Sequence, residues 1–323
     1  MKPQSESQTI ITTPTTYDPL MPTIFHETWW LDIVTDGQYG MTEVNSGGRV
    51  VGRMPYYVRS RMGLKIFHMP TLTHFLGPAI DEGQGGRNAR FLKRLAITRE
   101  LIEQLPPIDS LKVKCHRQVP EVIAFQEMGF RTSIQFVNEI PVQDTEISWK
   151  SLRDKTRNVI RRAEEQYTAV DLNDCDKYLA FYNRNLHEAG KTNHFNLSIC
   201  RRLITSCLEQ KRGRIFAARD ASNNLAAAIF CVFDDSASYY LMSTRTQSSG
   251  NGAISMLLWQ AIKDAAERGI AFDMDGIGNK GDIHLFSGFS AHITPRYVVS
   301  KAILPLRIAR ELGLLSWERG AYY

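Results

Sequence analysis

The chain has 323 residues, 43% of them hydrophobic and 23% charged, which excludes a largely disordered protein and provides for two domains or one large one. A net charge of +5 is mild and falls short of the clustered basicity of a nucleic-acid binder, so no DNA partner is expected and small anionic substrates fit at least as well. Five cysteines without a C-x-x-C pair read as free, mostly buried thiols, and eight histidines without H-E-x-x-H spacing give a metal hydrolase no support.

Residues 1–20, MKPQSESQTIITTPTTYDPL, are rich in Thr, Ser, Gln and Pro and lack an apolar period, so they read as a mobile leader and not as a signal peptide. The longest apolar run, Leu225 to Phe233, is far shorter than the roughly 20 residues of a membrane helix. A soluble, cytoplasmic protein with no membrane insertion is expected.

In the first half, FHETWWLDIV reads as a helix, and GRVVGRMPYYVRS and KIFHMPTLTHFLGP read as strands. Residues 88–105 are helical in pattern, SLKVKCH is a strand, and VIAFQEMGF ends in Gly129 and Phe130. Trp29 and Trp30 read as buried anchors, with stacking on a base as the alternative. His74, at an expected strand end facing a cleft, is a candidate for substrate binding.

SLRDKTRNVIRRAEEQY then places Lys155, Arg157, Arg161 and Arg162 on a helix. Arg157 and Arg161 are four apart and share a face, suited either to clamping a diphosphate or to a solvated face paired with Glu164 and Glu165. GRIFAAR and the hairpin Ala226–Phe233 and Ser238–Ser243 give three antiparallel strands. TQSSGNGAISMLLWQ follows, a glycine-bearing loop opening a helix whose apolar residues recur from Ile254 to Ala265, before the strand IAFDMDG.

At that loop the amides of Asn251, Gly252 and Ala253 would be unpaired donors at a helix N-terminus, where the dipole favours an anion. Gly250 and Gly252 lack the Cβ atoms that would keep a pyrophosphate off the backbone; a solvent-exposed turn is the plainer alternative. Two residues apart in a strand, Asp273 and Asp275 point to one face, with Phe272 and Met274 on the other. Partly buried, the two carboxylates would split their pKa values, which makes them base candidates; capping the strand end or bonding the loop GIGNKGD is the alternative. His284 and His292 can relay or donate a proton, or simply pack. Backbone N–H groups near Met242 to Thr244 are candidate oxyanion donors.

Gln247, Gly250 and Gly252 match the Q/R-x-x-G-x-G/A loop with which acyltransferases of the GNAT superfamily hold the pyrophosphate of coenzyme A, and HLFSGFSA resembles the landmark after the next strand. The resemblance implies coenzyme A contacts at Thr244, Arg245, Gln247, Gly250, Asn251, Gly252 and Ala253. The first half repeats the plan loosely. An α/β (α+β) fold of two tandem GNAT-like domains is therefore expected, over 21–145 and 146–323, each a mixed, mostly antiparallel sheet flanked by helices; one large α/β domain is the alternative.

The tandem plan, LRDKTRNVIRRAEE and FDMDGIGNKGDIHLFSGFSAHITPRY resemble the FemAB-like branch of that superfamily. Within it, the compact members that acylate nucleotide-linked amino sugars for bacterial surface polysaccharides such as O-antigen and lipopolysaccharide are most similar. This resemblance implies an acyl-CoA donor; the residues themselves give Asp273, Asp275 and His284 as catalytic candidates and, by their cysteine and histidine spacing, no metal. His74, Lys155, Arg157 and Arg161 would then bind the acceptor. A transferase using aminoacyl-tRNA is the alternative, weakened by the lack of a heptad-rich helical arm and by Ser287 where some such members carry Lys. A non-catalytic binding module is the other.

Overall fold

A computed structural model of the chain describes residues 18–67, 69–276 and 280–312. The expected leader lies outside them except for residues 18–20. After a 3-10 turn at Ile24–His26 come α1 (Thr28–Thr35), β1 (Gly40–Ser46), β2 (Arg49–Tyr56), β3 (Val58–Arg61), β4 (Leu64–Phe67) and β5 (Ala79–Ile80). The first half closes with α2 (Arg87–Glu103), β6 (Ser110–Lys114), α3 (Ile123–Glu127) and β7 (Arg131–Ile140). The second half begins with α4 (Thr145–Ser151), α5 (Asp154–Gln166), β8 (Thr168–Asp171), α6 (Cys175–Glu188), α7 (Leu197–Glu209), β9 (Gly213–Arg219), β10 (Leu225–Phe233) and β11 (Ala237–Arg245). It ends with α8 (Gly252–Glu267), β12 (Ala271–Gly276), α9 (Lys280–Phe286), β13 (His292–Ala302) and α10 (Leu304–Glu311).

Ten strands form one sheet in the order β3-β4-β6-β13-β7-β12-β11-β10-β9-β8, and β1, β2 and β5 form a small separate one. Neighbours in the large sheet are antiparallel except β4–β6 and β11–β12, which are parallel. Those two pairs mark the repeat: a helix, α2 or α8, joins each of them. The expected mixed, mostly antiparallel α/β fold is present. The two halves share the large sheet through an exchange of strands, because β7 of the first half lies beside β12, and β13 of the second half lies beside β6. β13 and β7 then pair over nine residues at the centre.

β10 is buried along nearly its whole length, which is why its sequence is a continuous apolar run. α8 is buried on several sides, between the sheet and α5, and carries apolar residues around much of its circumference. One apolar core, including Trp30, Leu101, Phe125, Tyr178 and Phe230, spans both halves. A second, including Ile160, Ile229, Leu257, Phe272 and Phe289, fills the space beneath α4, α5 and α8. Sheet and core both run across the expected 145/146 boundary. All five cysteines are free, and four of them are buried.

β13 contains Pro295, a residue that ordinarily argues against a central strand. Its ladder with β6 starts only at Val298, so at Pro295 the strand has β7 alone as a hydrogen-bonding neighbour and behaves as an edge.

Candidate active site

β11 and β12 pair only through Ala237–Tyr239 and Ala271–Asp273. Beyond that point they separate, and the wedge between them opens toward the end of β11, where the loop to α8 begins. The register of β11 on β10 slips between Tyr240 and Met242, which leaves Leu241 unpaired in a bulge on the wall of the wedge.

At the wedge mouth, Asn251 precedes α8 without a side-chain cap, and the first intrahelical bond runs from the Ser255 amide to the Asn251 carbonyl (3.0 Å). The first-turn amides of α8 are therefore left for another acceptor. The side chains of the loop are engaged inward. Gln247 Nε2 donates to the Glu188 carbonyl (2.9 Å), Ser249 Oγ to the Thr246 carbonyl (3.0 Å), and Thr244 Oγ1 accepts from Asn185 Nδ2 (2.9 Å). Exposed Arg245 donates to the Thr246 carbonyl (3.2 Å).

The two glycines sit in different surroundings. Gly250 has φ +60° with open space at its Cβ position, so the left-handed backbone requires it. A Cβ on Gly252 would stand 3.5 Å from the Ala163 Cβ and 3.8 Å from Val159, so its bare Cα faces α5 rather than a ligand space.

Asp273 and Asp275 lie at the apex of the wedge, in a cluster that both halves build. Asp273, fully buried, accepts the Asp275 amide on Oδ1 (2.8 Å) and faces Arg117 Nη2 with Oδ2 (3.2 Å). Glu139 stands directly opposite it on β7 and shares Arg117 (3.2 Å); Arg296 lies 2.8 Å from Glu139 and 3.8 Å from Asp273. Asp275, 28% exposed, takes Lys114 Nζ at 2.7 Å and lies 3.7 Å from His74 Nε2. Its backbone is left-handed at φ +61°, a conformation that costs energy in any residue with a Cβ.

The two carboxylates are electrostatically distinct, chiefly through burial and their different cationic neighbours. Burial pushes Asp273 up to about 6, with Arg117 pulling the other way and the Asp275 charge adding to the rise. Burial would also raise Asp275, but the charges of His74 and Lys114 hold it down at about 2. Burial drives His74 itself down to about 4, so it adds its charge only in acid, and at neutral pH Lys114 is the cation beside Asp275.

The other candidates fall in different places. His284 is exposed on α9 and His292 is exposed at the start of β13; among the described residues no hydrogen bond or ion pair joins His284 to the aspartates. Residues 277–279, in the loop expected to bond these carboxylates, lie outside the described residues. Arg157 and Arg161 share a face, but it turns to α4 and not to a cleft. The Arg157 guanidinium donates to the carbonyls of Trp149, Lys150 and Leu152 (3.3, 2.8 and 2.6 Å) and pairs with Asp154, and Arg161 lies over the Trp149 ring. Arg157 is thereby consumed in closing the end of α4. Lys155 is exposed and belongs by helical period to the α5 face of Val159 and Ala163 that meets Gly252. Trp30 is a buried anchor bonded to Thr73 (3.0 Å), and Trp29 donates to Glu27 (2.6 Å).

Lys114, Arg117, Glu139 and Arg296 were missed. The available signal was a charged residue inside an apolar strand pattern, in SLKVKCHR and FVNEI, which is the mark of a buried charge awaiting a partner. Among the described residues no group of His, Cys, Asp and Glu is arranged to hold a metal ion, and no helix is long and apolar enough to cross a membrane.

Residues 150–281 match the family model described as "Acetyltransferase (GNAT) domain". No curated protein matches the chain. Among solved structures, FemX is similar with a TM-score of 0.62 at 11% identity, over 88% of this chain and 92% of that one. The C-terminal domain of a putative lysylphosphatidylglycerol synthetase from Agrobacterium fabrum is similar at 0.61 and 12%, over 92% and 95%. L-PGS from Bacillus licheniformis is similar at 0.54 and 12%, over 84% and 87%. At these identities the likeness is one of fold. The matched acetyltransferase domain thus lies in the second half, and the chain shares its GNAT-like fold with these structures.

Proposed function

We propose that the protein is an N-acyltransferase that takes its acyl group from acyl-CoA and delivers it to the amine of a nucleotide-linked amino sugar. The observation that carries this reading is the wedge between β11 and β12: it opens at the uncapped first turn of α8 and ends at two carboxylates of different basicity. An acyl-CoA bound there would supply an acyl carbonyl already activated as a thioester. The first-turn amides of α8 suit its linked phosphates, with Lys155 next along the adjoining face of α5. The bulge at Leu241 offers peptide groups that β10 does not use, a fitting place for a polarised carbonyl oxygen.

The aspartates divide the work on the amine. Asp275 is ionised and partly exposed, so it suits the incoming ammonium group. Asp273 has the more basic carboxylate and suits removal of the proton, through water where no direct path exists. His74 borders Asp275 and stays with the acceptor. Arg157 and Arg161 do not, and the sugar-nucleotide part of the reading rests on the sequence resemblance, together with the lack of a long helical arm among the described residues. Its test is thiol release when the protein is mixed with a panel of acyl-CoAs and nucleotide-linked amino sugars. Folded protein that releases no thiol across the panel overturns it.

One finding favours a second reading, transfer of an aminoacyl group from charged tRNA: most of the chain is similar in fold to FemX and to a domain named for lysylphosphatidylglycerol synthesis. A tRNA donor would make binding fall steeply with salt and make turnover sensitive to ribonuclease. Ribonuclease-resistant turnover removes it.

A further inference from the structure

The cluster at the apex contains a cation whose position is fixed more firmly than an ion pair requires. Arg117 follows β6 in a short loop held by several bonds: the Cys115 amide donates to the Tyr297 carbonyl (2.8 Å), the His116 amide to the Leu76 carbonyl (3.0 Å), His116 Nε2 to the Pro78 carbonyl (2.8 Å), and the Gln118 amide to His116 Nδ1 (3.3 Å). With Nδ1 accepting and Nε2 donating, the last two bonds require the neutral Nε2–H tautomer of His116, which its burial also favours. Held in this way, the guanidinium stands at equal distance, 3.2 Å, from Glu139 and from Asp273.

Glu139 and Asp273 are directly opposite in the ladder between β7 and β12, and like charges in such a position repel. Arg296, buried on β13, sits close to Glu139 and a full ångström farther from Asp273. Glu139 thus has most of one cation and a share of the other, whereas Asp273 depends on Arg117. The groups facing Asp273 are Arg117 from the loop after β6, Glu139 from β7, Arg296 from β13, Tyr239 from β11 and Asp275 on its own strand. Lys114 and His74 pair with Asp275.

We infer that Arg117 is a positioning residue for Asp273, setting how readily the second half's carboxylate takes a proton from a loop of the first half, with Glu139 as its counterweight. The inference deepens the acyltransferase reading, which assigns Asp273 a proton to move, but it is tested without turnover. In the full chain labelled with 13C at the aspartate carboxyl carbons, Asp273 is identified by the signal lost in Asp273→Asn, and its titration is followed by NMR.

Arg117→Gln is expected to raise the midpoint by about one pH unit, a tenfold change in proton affinity, and Arg117→Lys is expected to restore most of it. Glu139→Gln is expected to lower the midpoint, because it removes the opposing charge and frees Arg117 for Asp273. A purely structural role for Arg117 would alter stability and leave the midpoint in place. An unmoved midpoint in folded Arg117→Gln overturns the inference. Should that variant not fold, an unmoved or raised midpoint in Glu139→Gln does so. A protein that titrates as expected yet releases no thiol would sink the acyltransferase reading alone.

Discussion

At the scale of single residues, the pair Asp273 and Asp275 shows two like side chains made unlike by their neighbours. One is fully buried and shares an arginine; the other touches solvent and owns a lysine. If Asp273 takes the proton from the acceptor amine, it must be ionised to act, so kcat should rise with pH through a midpoint of about 6. Asp273→Asn should lower kcat by about 10²- to 10⁴-fold and abolish that limb. Asp275→Asn should act chiefly by raising KM for the amine. Steady-state pH profiles of both variants check this, and equal effects on kcat would refute the division of roles.

The buried histidines predict a second pH effect. Burial lowers His74 and His116 from 6.5 to about 4, so the unfolded chain takes up protons first, and the stability of their neutral forms is lost as pH falls from 6.5 to 4. Each group contributes roughly 3 kcal/mol over that window. Asp273, raised from 3.8 to about 6, works in the opposite direction over nearly the same range, contributing roughly 3 kcal/mol. The two histidines outweigh it, and Tm measured between pH 7 and 4 should fall. A flat profile would show that the two imidazoles are not buried as neutral groups.

At the scale of elements, the helix–turn contacts around α5 decide which glycines matter. Gly288, in the Gly-Phe landmark after α9, has Thr156 Oγ1 only 2.2 Å from where its Cβ would be. Gly288→Ala should destabilise by about 1–3 kcal/mol. Thr156→Ala should recover most of that loss in a double-mutant cycle read by denaturant unfolding, and additive effects would count against the contact. Gly250→Ala meets no atom but must adopt φ +60°, so it should cost about 1 kcal/mol, and Gly250→Asn less.

These elements were unevenly legible. β10, β11, α8 and β12 were readable because each has an apolar pattern of one period, and the expected junction of strand, loop and helix is present at Arg245–Gly252. β7 and β13 were not read as strands, the first because its exposed and buried positions do not alternate cleanly and the second because of Pro295. The partners of Asp273 were hidden for a different reason. Arg117 is 156 residues away, and no local pattern specifies a pairing at that distance.

At the scale of the whole molecule, the exchange of β7 and β13 makes the two halves interdependent. Residues 146–323 alone would carry β12 with an open edge and β13 with neither of its neighbours. We expect residues 1–145 and 146–323 to aggregate or remain unfolded when produced apart, and to form a soluble complex when produced together. Hydrogen exchange would report the outcome, and two separately folded halves would show that the fused sheet is dispensable.

β13 also has a consequence for synthesis. β6 and β7 leave the ribosome well before β13, roughly 10–30 s earlier at about 5–20 residues per second, and in that interval the slot between them stays empty. A neighbouring nascent chain carries an identical strand able to fill it. Crowded polysomes are thus where swapped dimers should arise, and slower initiation should give the larger yield of monomer.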